Sequence, residues 1–191
     1  DLAEKLKLPL FVSEVGVDPD AWHDSRYYDF KYAAREMAHY QELFLHARPQ
    51  VALYWEYTGD YALLRSDAES QKLALTERFC LQKHLTEFIP PGSVALKTSS
   101  DKSSILFTAF GSKDDPQRFT LHLVNRDWPR RAIVEGLPPG IKTLNAVRTS
   151  RGEFFKKLES MTVTHGKVSV EMPGQSLLTL TTMSIPKLKL P

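Results

Sequence analysis

Two side chains in the first third of the sequence have the types and placement to act on a sugar. Glu14 follows the apolar run Leu8-Pro9-Leu10-Phe11-Val12-Ser13, and Trp55 closes a second run, Val51-Ala52-Leu53-Tyr54. A carboxylate can act at an anomeric carbon, and the flat face of an indole covers the C–H surface of a pyranose. Trp22 and His23, in the polar loop after Glu14, and Tyr57, just after Trp55, are candidates to line the same cleft. The plain alternatives are a Glu that caps a strand end or pairs with an Arg, and aromatics that pack under surface loops.

Other constellations are poorer. Asp18, Asp20 and Asp24 have the early spacing of a calcium loop, but its sixth position is His23 where glycine is needed and its twelfth is Asp29 where a bidentate Glu is needed. The six histidines show neither HxH nor HExxH spacing, and the single Cys80 leaves no CxxC pair, so no metal or other cofactor is expected. Cys80 falls in a helical pattern and reads as a small packed hydrophobe.

The elements that must carry Glu14 and Trp55 read as two strand–helix units. The strands are nearly continuous apolar runs, as in a parallel sheet covered on both faces. The first helix repeats Phe30, Ala33, Met37, Tyr40, Phe44 and Ala47 at three- and four-residue spacing, with Asp24 or Ser25 as cap. The second is expected to open on Ser66-Asp67-Ala68-Glu69, a capping-box spacing, to carry Ala74, Leu81, Leu85 and Phe88 inward, and to stop at Pro90-Pro91-Gly92.

From there the period becomes two. Strands are expected near 93–98, 105–110, 119–125, 132–135, 143–149, 161–164, 167–172 and 177–182, forming an antiparallel β-sandwich. Thr164-His165-Gly166-Lys167 reads as a tight hairpin in which Gly supplies a positive φ. The first half is physically short: two βα units cannot bury both faces of their strands, and a closed barrel of such units takes about 250 residues. A preceding segment of the same protein, a partner, or packing onto the sandwich could make good the deficit.

Glu14 and Trp55 at successive strand ends, followed by a helix and a sandwich, resemble the clan A retaining glycoside hydrolases. The stretch from Phe79 to Glu87 running into Phe88-Ile89-Pro90-Pro91-Gly92-Ser93-Val94 looks like the last barrel helix and FIxPGSV link of family 30. Arg148-Thr149-Ser150 and Pro173-Gly174-Gln175-Ser176-Leu177-Leu178-Thr179-Leu180 look like its sandwich signatures. The resemblance spans nearly the whole chain. It implies an α+β architecture: residues 1–89 as strands seven and eight of a (β/α)8 barrel with their helices, and residues 90–191 as the antiparallel β-sandwich. It further implies Glu14 as nucleophile of a double displacement, Trp55 as a subsite aromatic followed by a cis peptide, and an acid/base Glu on a strand that no part of this sequence matches. Where the family commonly has an aromatic beside the nucleophile, this chain has Val15-Gly16.

The implied partners are a carbohydrate substrate and the N-terminal barrel segment of the same protein, and the implied location is secreted or periplasmic. By itself the chain is expected to be inactive. Composition narrows the alternatives. Of 191 residues 42% are hydrophobic, but charged residues cut every apolar run well below the ~18 needed for a membrane-spanning helix. The 25 Lys and Arg against 23 Asp and Glu provide no field to attract nucleic acid or an anionic membrane. The competing reading is a non-catalytic carbohydrate-binding or structural sandwich with a remnant barrel segment, using Trp128 or Phe154 and Phe155 as exposed stacking surfaces.

Overall fold

The computed structural model describes residues 2–17, 23, 28–55, 63–67 and 72–187. Its first part runs α1 (Leu2–Leu6), β1 (Phe11–Val15), α2 (Phe30–His46), β2 (Val51–Tyr54), β3 (Leu64–Asp67), β4 (Lys72–Leu75) and α3 (Glu77–Phe88). Only strands follow: β5 (Ser93–Leu96), β6 (Ile105–Ser112), β7 (Phe119–Asn125), β8 (Arg130–Val134), β9 (Thr143–Ser150), β10 (Glu153–Lys157), β11 (Met161–Thr162), β12 (Val168–Met172) and β13 (Ser176–Thr181).

β1 and β2 pair in parallel across the α2 crossover, and the other strand pairs among the described residues are antiparallel. Six strands form the sheet path β10-β9-β13-β7-β6-β5, with β11 joined to β9 as the seventh, while β8 and β12 pair separately. The period-two pattern sorts the large sheet's side chains. Leu121, Leu123, Leu178 and Leu180 meet Val134, Val168, Val170 and Met172 of the β8–β12 pair in one core. On the opposite face, Leu106, Val124 and Leu177 meet Met37, Leu81 and Leu85 of α2 and α3. α2 is therefore buried on two sides, because Ala33, Met37 and Tyr40 also share that core with Val12, Val15, Ala52 and Tyr54 of the parallel pair. Leu178 and Leu180 are fully buried, and truncating either to Ala costs roughly 2–5 kcal/mol.

Three expectations are corrected. The capping-box residues do not start a helix: Ser66 and Asp67 pair with Leu73 and Lys72 in the β3–β4 hairpin, and Ala74 lies in β4. α3 begins at Glu77 instead. Its cap, Thr76, accepts from the Phe79 amide at 3.2 Å and donates to the Leu63 carbonyl at 2.8 Å, so one hydroxyl closes the hairpin base and starts the helix. The first strand runs from Phe11 to Val15 rather than from Leu8, which puts Glu14 inside it. The α2 cap, expected at Asp24 or Ser25, is Asp29, and it makes no side-chain capping bond; Asp24 and Ser25 themselves lie outside the described residues. α1 and β10 were not anticipated. The 164–167 hairpin forms as read, with a Thr164–Lys167 bridge and positive φ at His165 (51°) and Gly166 (72°). No helix among the described residues is long and apolar enough to cross a membrane.

The helix-facing side of the large sheet also carries polar groups. His84 of α3 and His122 of β7 are both fully buried, and each binds the Thr179 hydroxyl through Nδ1, at 2.7 and 2.8 Å. His84 Nε2 lies 2.9 Å from the Thr149 hydroxyl, which accepts from the Phe155 amide. Each hydroxyl proton finds an acceptor if Thr149 donates to His84 Nε2, His84 Nδ1–H donates to Thr179, and Thr179 donates to His122 Nδ1. Adding a proton to either ring turns an accepting nitrogen into a second donor. Burial lowers the His122 pKa to about 3, and burial with the nearby His122 and Lys83 charges lowers that of His84.

Both folded pKa values thus lie below the unfolded value near 6.5, so the stabilisation is complete above pH ~6.5 and lost as pH falls toward the folded values. Denaturant titrations should show lower stability at pH 5 than at pH 7, by roughly 2 kcal/mol from His122 at about 1.4 kcal/mol per pH unit below ~6.5, with the His84 contribution in the same direction. An unchanged midpoint would show that the fold accommodates the imidazolium forms.

Candidate functional site

Glu14 reaches the surface through an irregularity in β1. The register pairs Phe11 with Val51 and Val12 with Ala52, then Val15 with Tyr54. Three steps on β1 thus match two on β2, a β-bulge at Ser13 and Glu14. Unbroken alternation would put Glu14 on the side of Val12, which packs toward α2. The extra residue rephases the strand, leaving Ser13 and Glu14 exposed and burying Val15.

β2 alternates normally. Ala52 and Tyr54 pack toward α2, and Leu53 and Trp55 are exposed, Trp55 by 50%. The Trp55 amide donates to the Val15 carbonyl at 3.4 Å, which brings the segments bearing Glu14 and Trp55 side by side at one end of the parallel pair. Both side chains therefore leave the sheet on the face away from α2. Glu14 makes no hydrogen bond or ion pair among the described residues, so it is not an acid buried against an arginine. His23 is exposed. Trp22, Tyr57 and the peptide after Trp55 lie outside the described residues.

Behind the strand end stands a polar cluster that the sequence reading missed. Glu36 of α2 and Arg78 of α3 form a buried ion pair at 2.7 Å, and the guanidinium lies 5.2 Å from the Tyr54 ring centroid. Burial, reinforced by the Glu36 charge, raises the Tyr54 pKa far above the ordinary phenol value, so its hydroxyl keeps its proton. The available signal was local: a Glu facing inward on α2 and an Arg in the first turn of α3, each on an otherwise apolar stripe.

A groove of about 570 Å³ lies elsewhere, between α2 and the ends of β7 and β13, bordered by Lys31, Arg35, His39 and Arg126; neither Glu14 nor Trp55 lines it. Among the competing aromatics, Phe155 is corrected. It is buried, with its ring parallel to Phe88 at 6.0 Å and against His84 at 5.0 Å. Trp128 is 78% exposed on a braced turn, where Asn125 Nδ2 donates to the Trp128 and Pro173 carbonyls. A Cβ on Gly174 would lie 2.6 Å from the Asp127 carbonyl, so only glycine fits against that turn. Cys80 is buried as read, and its surroundings push the thiol pKa up to about 11, which keeps it protonated and inert.

No sequence-family model and no curated protein matches the chain. Solved structures do. A family 30 endoxylanase from Clostridium papyrosolvens aligns over 94% of the chain at TM-score 0.76 and 13% identity. A conserved exported protein from Bacteroides fragilis aligns over 92% at TM-score 0.66 and 13% identity. A family 44 endoglucanase from Clostridium acetobutylicum aligns over 94% at TM-score 0.68 and 11% identity. The chain covers 43%, 39% and 33% of these three, so it shares the fold of less than half of each.

The geometry separates Tyr54, at the end of β2, from Trp55, just after it. Trp55→Ala should lower stability by less than about 1 kcal/mol, and Tyr54→Ala, which strips the ring from Arg78, by about 3 kcal/mol. Urea denaturation of the two variants measures both; equal losses would mean that Trp55 is a packing residue.

Proposed function

We propose that this chain is the C-terminal portion of a retaining O-glycoside hydrolase, with Glu14 as the nucleophile and Trp55 as a sugar-stacking surface. The observation that carries the reading is the bulge, which brings Glu14 onto the exposed face of the parallel pair that also presents Trp55. Bulges that re-aim side chains are over-represented beside active sites. The fold shared with family 30 and family 44 glycosidases supports the same assignment.

In this reading residues 1–89 are the last two βα units of a (β/α)8 barrel, and residues 90–191 are its accompanying β-sandwich. Further strands of the same protein would continue the two-stranded sheet and cover Phe11 and Leu53, which are 60% and 47% exposed. One of those strands would bring the acid/base carboxyl to about 5–5.5 Å from Glu14, the separation that retention requires. Glu14 would then attack the anomeric carbon as the second carboxyl protonates the leaving oxygen, and water activated by that second carboxylate would release the sugar. Trp22, His23 and Tyr57 are assigned to the substrate cleft. The exported Bacteroides protein of like fold supports secretion.

The non-catalytic alternative draws on Trp128, whose braced, exposed indole could stack on glycan without Glu14. The deciding experiment uses a polypeptide carrying the complete barrel and a panel of chromogenic glycosides. Glu14→Gln should lower kcat by at least about 10³-fold with substrate binding kept, while Trp128→Ala leaves turnover unchanged. Equal turnover by wild type and Glu14→Gln would remove the nucleophile and favour the binding module.

A further inference from the structure

Glu36 and Arg78 are 2% and 1% exposed, two full charges taken out of water between α2 and α3. Arg78 Nε donates to Glu36 Oε2 at 2.9 Å and its Nη2 to Oε1 at 2.7 Å, the two-pronged arrangement that fixes a carboxylate in plane and direction. The guanidinium carbon sits 5.2 Å from the Tyr54 ring centroid and 5.4 Å from that of Tyr32. The Tyr54 hydroxyl also donates to Glu36 Oε2, at a long 3.5 Å, and its ring stacks on Tyr40 at 6.3 Å.

A buried ion pair adds little stability over apolar side chains of equal volume, because desolvation offsets the attraction. Its distinctive property is geometric, since a planar fork admits one arrangement where aliphatic side chains would slide. This fork ends on Tyr54, which is paired with Val15, the neighbour of Glu14, and is itself the neighbour of Trp55.

We propose that the Glu36–Arg78 pair is a positioning device: through the Tyr54 ring it locks the end of β2 against the bulge of β1 and so fixes the spacing of Trp55 from Glu14. Its bearing on catalysis rests on the glycosidase reading, while the mechanical claim stands apart from it. The stakes for the reaction are large, since a misplacement of about 1 Å at a reacting group costs on the order of 100-fold in rate.

The test replaces the pair with apolar residues, Glu36→Leu with Arg78→Met, a neutral exchange that keeps the volume and removes the fork. Arg78→Lys, which keeps the charge and loses the fork, is the second variant. Amide hydrogen exchange in this chain, followed by NMR, compares Trp55 with Val147 and Leu178 in the large sheet. Trp55 exchange is expected to accelerate about tenfold or more in both variants, with Val147 and Leu178 within about twofold of wild type. Unchanged Trp55 exchange, or acceleration in step with Val147 and Leu178, overturns the proposal. In the complete barrel the double variant should lower kcat with KM near wild type. If no glycoside is hydrolysed, the exchange result still decides the positioning claim. If Glu14→Gln is inactive and Trp55 exchange is unaltered, the nucleophile stands and the positioning role falls.

Discussion

A polar face in the middle of the molecule governs where everything else sits. The large sheet turns Thr108, Thr120, His122, Thr149, Thr179 and Thr181 toward its helix-covered side or its interior, and all six are buried. An unpaired buried donor or acceptor there costs ~1–3 kcal/mol, and apart from His122 Nε2 the polar side-chain atoms of these six residues find partners inside the protein. Thr120 and Thr181 pair with each other at 2.8 Å, Thr108 donates to Gln41 of α2, and Thr149 and Thr179 hold His84 of α3. These bonds have direction, so they fix the rotation and height of α2 and α3 on the sheet more tightly than the leucines beside them could.

That docking carries through to the opposite side of α2. The helix that offers Gln41 to the large sheet offers Glu36 to Arg78 and Ala33, Met37 and Tyr40 to the parallel strands. A shift of α2 on the large sheet would be transmitted to the strand ends bearing Glu14 and Trp55. Close packing makes such layers move as units rather than deform locally.

What the sequence disclosed follows the range of the interaction concerned. The strands β6, β7, β9, β12 and β13 and the helix α2 each bury a periodic set of their own residues, so their pattern is local and was read within a few positions. Thr164–Lys167 was legible because its turn needs only its own two central residues. The box at Ser66 and Glu69 misled because it is also local, while the β3–β4 ladder that replaces it depends on Leu64 meeting Leu75. β10 was hidden by its own break, with Phe155 at φ 47° and a shifted register against β9. For the candidate site, Glu14 and Trp55 were both read as residues following strands; Trp55 does follow β2, whereas Glu14 lies inside β1. The bulge, the Glu36–Arg78 fork and the histidine chain were not legible, since each exists only once distant segments meet.

Those meetings have a direction in time. On the ribosome, α2 and α3 emerge before most of the strands that complete them. Gln41 waits for Thr108, 67 residues later, and His84 waits for Thr149 and Thr179, 65 and 95 residues later. Gln41 gains its partner when β6 follows α2, whereas His84 lacks both of its hydroxyl partners until β9 and β13 have followed α3. Contacts of such high sequence separation form slowly. Each helix is therefore fully docked only after strands far downstream of it in the sequence have been made.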